Sequence, residues 1–263
     1  MDRKYWFKQT TDGPLFPDLL WSRPENKRAA GKLLIIGGNA HGFAAPAAAF
    51  AAAGAAGAGT VRVLLPDSLQ KTVGRAFPAG EFAPSTPSGS FSRQALGEFL
   101  EVADWADAVL LAGDLGHNSE TAALLEKFVQ DYKGRLVLAQ DALDYFTGGS
   151  GTIFERPDTL LAASFGQLQK LARAASFPQA FTSNMDLLRF IDNAHDFTDR
   201  YAASLIVEHF GNLAAAVNGQ VSTTKTGKAP DISATGAYAA VWWLQNPSKP
   251  FEACSSAIIE VIR

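Results

Sequence analysis

Four loops of this chain gather the residues with chemistry to offer. Gly37–Phe43, Gly113–His117, Gln140–Asp144 and Thr224–Asp231 carry Asn39, His41, Asp114, His117, Asp141, Asp144, Lys225, Lys228 and Asp231. A carboxylate beside a hydroxyl acts as a general base, and a lysine is a point charge for a phosphate. Thr226–Asp231 runs directly into an apolar stretch with helical spacing. The amides at a helix start favour an anion. Asp231 is equally suited to capping that helix, so both roles stay open.

Gly37-Gly38 has neither the GxGxxG spacing of a dinucleotide fingerprint nor the GxxxxGK[ST] of a phosphate loop. It is either a tight strand-to-helix turn or a point of ligand contact. His41 and His117 have no third ligand at metal-site spacing, so no metal site is predicted. His195 lies in the acidic run Asp192–Asp199 and is expected on a solvated face. His209 ends a strand and reads as structural. Cys254 and the Trp242-Trp243 pair read as helix packing.

The elements that must position these loops follow a repeated order. Apolar runs at Lys32–Gly38, Thr60–Leu65, Ala108–Ala112, Arg135–Ala139 and Thr159–Ala163 read as buried strands. Between them lie helical stretches at Pro46–Ala56, Ser92–Trp105, Ser119–Tyr132, with Ser119 as N-cap, and then Phe165–Ala174. Glu81–Ser90 reads as a loop. Asp186–Tyr201 is helical, Ser204–His209 and Leu213–Val217 are strands, and Asn218-Gly219 predicts a type I′ turn into Gln220–Thr223. Ile232–Gln245 and Phe251–Ile262 close the chain as helices. The strand–helix alternation predicts an α/β fold with a parallel sheet covered on both faces.

Composition narrows the classes. The 263 residues carry 23 Lys and Arg against 26 Asp and Glu, a net charge of −3 that argues against nucleic acid as partner. One cysteine excludes an internal disulfide framework and fits a reducing, cytoplasmic setting. The start, MDRKYWFKQT, has no apolar core for a secretory signal, and the Ala/Gly-rich Phe43–Gly59 is too weakly apolar to span a bilayer. No membrane role is therefore expected. A charged content of 19% and the Ala-rich and Trp-bearing helices suit a homo-oligomer. Residues 1–30, with Pro14, Pro17 and Pro24, are expected to lie as an N-terminal arm against a single domain at 31–263.

From about Gly31 to Ile262 the chain resembles the ADP- or ATP-dependent NAD(P)H-hydrate dehydratases of the ribokinase-like superfamily. The segments that carry the resemblance are GKLLIIGGNAHGFAAPAAAFAAAGAAGAGTVRVLLPDSL, AVLLAGDLGHN, RLVLAQDALD and TTKTGKAPDISATGAYAAVWWLQNPSKPFEACSSAII. They are similar to that family's GGS-type loop, GPGLG loop, DADALN loop and TGGSGD loop, each with its flanking elements. The resemblance implies a three-layer αβα sandwich with a mostly parallel central sheet. It implies nucleotide-dependent repair of hydrated NADH or NADPH, with ATP or ADP and magnesium: the hydrate's hydroxyl is phosphorylated, and loss of phosphate restores the ring. The alternatives are a non-catalytic relative that binds a nucleotide or partner, and a small-molecule kinase of the same fold.

The same resemblance implies roles for single residues. Asp231 matches the Asp of TGGSGD and would be the general base. Lys225, Thr226, Gly227 and Lys228 would lie along the nucleotide. Asn39, Gly116 and Asp141 match substrate-side positions. The chain departs from the family in four places. Lys228-Ala229-Pro230 stands for Gly-Ser-Gly, Asp114 enters the GPGLG loop, Ser164-Phe165-Gly166-Gln167 stands for HPGE, and Glu208 or His209 stands where a lysine is expected. Pro230 has no amide hydrogen, which takes one donor from the phosphate loop.

Overall fold

Alternation along the strands divides their side chains between two buried faces. In the computed structural model, which describes residues 3–75, 77–148 and 151–263, strand β2 (Lys32–Gly37) shows this directly. Its Leu34 and Ile36 join one hydrophobic core and its Leu33 and Ile35 the other, all four fully buried. A strand with period-two side chains and no polar face must be covered on both sides. The same holds for β5 (Ala108–Gly113), β6 (Arg135–Ala139) and β7 (Thr159–Ala163).

Ten strands form one sheet in the order β1-β10-β9-β8-β7-β6-β5-β2-β3-β4. The others are β1 (Trp6–Gln9), β3 (Thr60–Pro66), β4 (Gly80–Ala83), β8 (Ser204–His209), β9 (Asn212–Val217) and β10 (Gln220–Lys225). All pairings are parallel except those of β9 with β8 and β10. Asn218 and Gly219 adopt φ of 48° and 75° between β9 and β10, as a type I′ turn requires.

One face carries α4 (Leu96–Trp105), α5 (Ser119–Asp131), α7 (Phe165–Ala174) and α8 (Leu187–Arg200). The other carries α2 (Ala44–Ala55), α9 (Ile232–Gln245) and α10 (Pro250–Ile262), with α1 (Pro17–Trp21) against α10. The short turns α3 (Gln70–Val73) and α6 (Thr152–Glu155) complete the element order. The expected αβα sandwich with a mostly parallel sheet is thus observed.

The two helical layers are built from different residues. Phe99, Phe128, Phe190 and Phe197 fill the first, and small residues dominate the second. Alanines 49, 52 and 53 of α2 are buried, and α2 packs on α9. Small side chains let helices approach the sheet closely. A Cβ on Gly236 would sit 3.3 Å from both Ala139 Cβ and Leu110 Cδ1.

Three local expectations are corrected. Asn118, not Ser119, caps α5: its Oδ1 accepts from Glu120 N at 2.8 Å and Thr121 N at 3.4 Å, because the extended turn falls one residue earlier. The stretch expected as loop from Glu81 begins inside β4, whose edge pairing with β3 is not readable from a Pro/Ser-rich composition. His195, expected on a solvated face, is only partly exposed, while Asp196 and Asp199 of the same run are exposed. It stacks on Tyr5 at 3.7 Å between centroids, because the segment leading into β1 packs against α8. Arg3 reinforces this with two hydrogen bonds to Asp192, at 2.6 and 2.9 Å. The first thirty residues thereby supply β1, an edge strand parallel to β10.

Gly236→Val is expected to overpack the α9–sheet contact and cost about 1–3 kcal/mol. A lowered urea midpoint at unchanged m-value measures this; an unchanged midpoint refutes it.

Candidate functional site

In an open α/β sheet the crevice lies at the carboxyl ends of the strands, where successive strands depart to opposite sides. Here that point is β2, flanked by β3 on one side and β5 on the other. The end of β2 meets the end of β5 without side chains between them. A Cβ on Gly37 would lie 2.4 Å from Gly113 O and 2.8 Å from Pro46 Cγ. Gly38 N donates to Gly113 O at 3.0 Å, and Gly113 itself has φ of 116°.

That contact places the first loop residues. Asn39 Nδ2 donates to Asp114 O at 2.6 Å, and Asn39 Oδ1 accepts from His41 N at 2.8 Å. Asp114 holds φ of 57°, a left-handed conformation that aspartate tolerates better than most residues. Its Oδ2 accepts from Ala45 N at 2.7 Å, so it caps α2 from another loop. Gly116, with φ of 74°, donates its amide to Asp141 Oδ2 at 3.2 Å. A Cβ there would lie 2.8 Å from Ser90 Oγ and 3.7 Å from Asn39 Nδ2. Asn39, Gly116 and Asp141, matched separately to substrate-side positions, therefore meet in one crevice.

Burial pushes the Asp141 carboxyl above the usual carboxylate range, and the nearby Asp114 charge adds to the rise. Amides of Leu115 and Gly116 and the charge of His117 oppose it. Among the described residues, Asp141 Oδ1 and Asp144 Oδ1 are buried without a hydrogen-bond partner. Tyr145 closes this corner by donating to Gly116 O.

Several contributors escape a motif search. Gln140 has φ of 53°, and its carbonyl accepts from Gln167 Nε2 at 2.7 Å. Ser164 and Gln167 form a capping box on α7. The Ser164–Gln167 segment thus holds the β6 corner as well as starting a helix. The 84–92 loop forms a wall: Gly89 O accepts from Ala40 N and Ser68 Oγ, both at 2.9 Å, and Ser88 Oγ accepts from Asn118 Nδ2 at 2.9 Å. Only its turn residues signal this role in the sequence.

The second half of the cleft is the 225–231 loop. Thr226 is buried; its amide donates to Gly211 O at 2.8 Å and its Oγ1 donates to Lys228 O at 2.5 Å. Lys225, Gly227 and Lys228 are exposed. Asp231 is exposed and caps α9, its Oδ1 accepting from Ala234 N at 2.9 Å. Ser233 Oγ donates to Ala112 O at 3.2 Å, which pins the start of α9 to the end of β5 and so ties the two halves together.

Beside this loop lies a mainly apolar cavity of about 230 Å³ between β7, β8 and the start of α9, lined by Phe165, Ile206, Glu208, Leu213, Pro230 and Ile232 among others. Larger hollows of about 560 and 530 Å³ lie elsewhere, one around Arg156 and one around Arg173. They are open surface depressions away from the strand ends, so the small cavity is the better ligand site.

Among the described residues no group of three or more His, Cys, Asp and Glu is placed to hold a metal ion. Burial pushes the Cys254 thiol up to about 12, so it is no nucleophile at neutral pH. Among the described residues no helix is long and apolar enough to cross a membrane.

No family model matches the chain. It is 30% identical over 151 residues to the bifunctional NAD(P)H-hydrate repair enzyme of Salinibacter ruber, a match covering 56% of this chain and 28% of that protein. The chain thus matches under a third of that relative's length. Among solved structures, a ribokinase-like superfamily protein from Enterococcus faecalis superimposes with a TM-score of 0.73 at 15% identity, covering 99% of this chain and 88% of the other. The ADP/ATP-dependent NAD(P)H-hydrate dehydratase of Bacillus subtilis, co-crystallised with ATP and Mg2+, gives 0.59 at 13% identity, covering 93% and 86%. The fold is ribokinase-like, and the chain is similar in sequence to hydrate-repair enzymes.

Asp141 generates a pH prediction. Its folded-state pKa is raised, so its contribution to stability is full below the usual carboxylate range and is lost as pH rises through the folded value. Asp141→Asn should therefore gain stability relative to the parent as pH climbs from that range, then level off. Parallel denaturation curves at every pH would refute this.

Proposed function

We propose that this chain binds ATP or ADP across the 225–231 loop and acts in nucleotide-dependent repair of hydrated NADH or NADPH. The observation that carries the reading is the sequence match to hydrate-repair enzymes, over 56% of the chain, on a ribokinase-like fold. The geometry is compatible with it. The base fits the apolar cavity beside Phe165 and Ile206. Lys225 and Lys228 are free at the surface to meet phosphates, and α9 begins there with its Ile232 and Ser233 amides. Magnesium is held largely by phosphate oxygens and water, which suits a site without a protein-built ion cage.

In this reading the nucleotide supplies the phosphoryl group. Asp231 takes the proton of the acceptor's hydroxyl as the phosphoryl group is transferred; departure of phosphate, with loss to solvent of a proton from the neighbouring ring carbon, then re-forms the double bond. Asp141 and Asn39 orient the acceptor from the β2–β5 crevice. Lys228 neutralises developing charge where Pro230 offers no amide. The protein is proposed to work in the cytoplasm as a homo-oligomer with small nucleotide ligands as its partners.

A second reading is binding without turnover. Pro230 favours it, since loss of one preorganised donor costs roughly 3 kcal/mol of transition-state stabilisation.

Purified protein mixed with hydrated NADH, magnesium and ATP or ADP is expected to restore nicotinamide absorbance. Asp231→Asn is expected to slow this by about 10²–10⁴-fold. No restoration by folded protein at high concentration, with ADP still bound, would replace this reading by the second.

A further inference from the structure

We propose that Asp114 sets the charge of what the acceptor half of the cleft admits: by occupying the start of α2 it refuses phosphate there. The inference rests on the reading that the 225–231 loop holds the nucleotide and the β2–β5 crevice its acceptor. The amides at the start of α2 face that crevice, where a helix would normally favour an anion. In this chain the anion is internal. Asp114 Oδ2 sits 2.7 Å from Ala45 N, held from behind by the 2.6 Å hydrogen bond of Asn39 to the Asp114 carbonyl.

The surroundings offer little to offset that charge. The crevice loops 37–43, 84–91, 113–118 and 140–146 contain no lysine or arginine, and they carry Asp114, Asp141 and Asp144. Their cationic candidates are His41 and His117, both exposed. The lysines of the site, Lys225 and Lys228, lie on the opposite loop. Burial is the main reason the Asp141 carboxyl lies above the usual carboxylate range, and the Asp114 charge adds to the rise. A phosphate at α2 would have to displace a carboxylate already hydrogen-bonded there. An acceptor that carries a diphosphate must therefore hold it outside this crevice and insert its uncharged end.

Inorganic pyrophosphate is the probe, followed by amide NMR at Ala45 and at the start of α9. The parent protein is expected to show no saturable change at Ala45. Asp114→Gly, which keeps the left-handed conformation and frees the amide, should show saturable change at Ala45 with at least tenfold tighter binding, weakened by salt. Asp114→Asn keeps an oxygen for Ala45 without the charge and should fall between. A parent response at Ala45 equal to that of the glycine variant overturns the proposal, as does a folded glycine variant with no response. ADP added to all three proteins tests the nucleotide reading separately. Silence at Ile232–Ala234 with ADP would sink that reading, while the pyrophosphate result at Ala45 would still decide the role of Asp114.

Discussion

The approach of two strand ends without side chains governs this structure. A Cβ on Gly37 would run into the Gly113 carbonyl between β2 and β5, one on Gly113 would run into Gln140 at the end of β6, and the Gly38 amide bonds across the first gap. From that contact the chain must turn on each side, and the turns present Asn39 and Asp114 to one another. A methyl group at Gly37 would push against backbone, which cannot yield as a flexible side chain can. The crevice therefore exists because the core closes there on backbone alone.

The second helical layer extends the same economy. Alanines on α2 and Gly236 on α9 bring helix axes close to the sheet, and Ser233 then reaches the carbonyl of Ala112. Close packing of small residues so becomes a positional constraint on the 225–231 loop, which hangs from the start of α9. The opposite layer, filled by phenylalanines, contributes bulk and reaches the cleft through Gln167 at the start of α7, which bonds the Gln140 carbonyl. Beyond it, β1 adds a strand beside β10, and Gln9 Nε2 bonds Thr224 Oγ1 at 2.9 Å and Ser255 O at 2.8 Å. The strand that leads into the 225–231 loop is thus secured on both edges.

Electrostatics divides the cleft. Lysines lie on the α9 side, and aspartates held by backbone amides lie on the β2–β5–β6 side. The departures from the hydrate-dehydratase pattern have structural counterparts that are not simple losses. Asp114 becomes a helix cap for α2, and Ser164 with Gln167 caps α7 while bonding the Gln140 carbonyl. Pro230 alone removes a donor with nothing bonded in its place.

The fold was legible because it rests on local pattern. Buried apolar runs, glycine ends and helical spacing are one-dimensional signals, and they located β2, β5, β6, β7 and α9 closely. The four cleft loops were legible for the same reason, since they follow those strands. What the sequence could not carry were relations between distant segments. That Asp114 caps a helix 69 residues earlier, that Asp141 lies half-buried against Gly116, that β4 and β1 join the sheet edges, and that His195 is covered by Tyr5 were decided by tertiary packing. A side chain's type is written locally. Its charge state and its partner depend on which other segments exclude water around it, and only the folded chain brings those together.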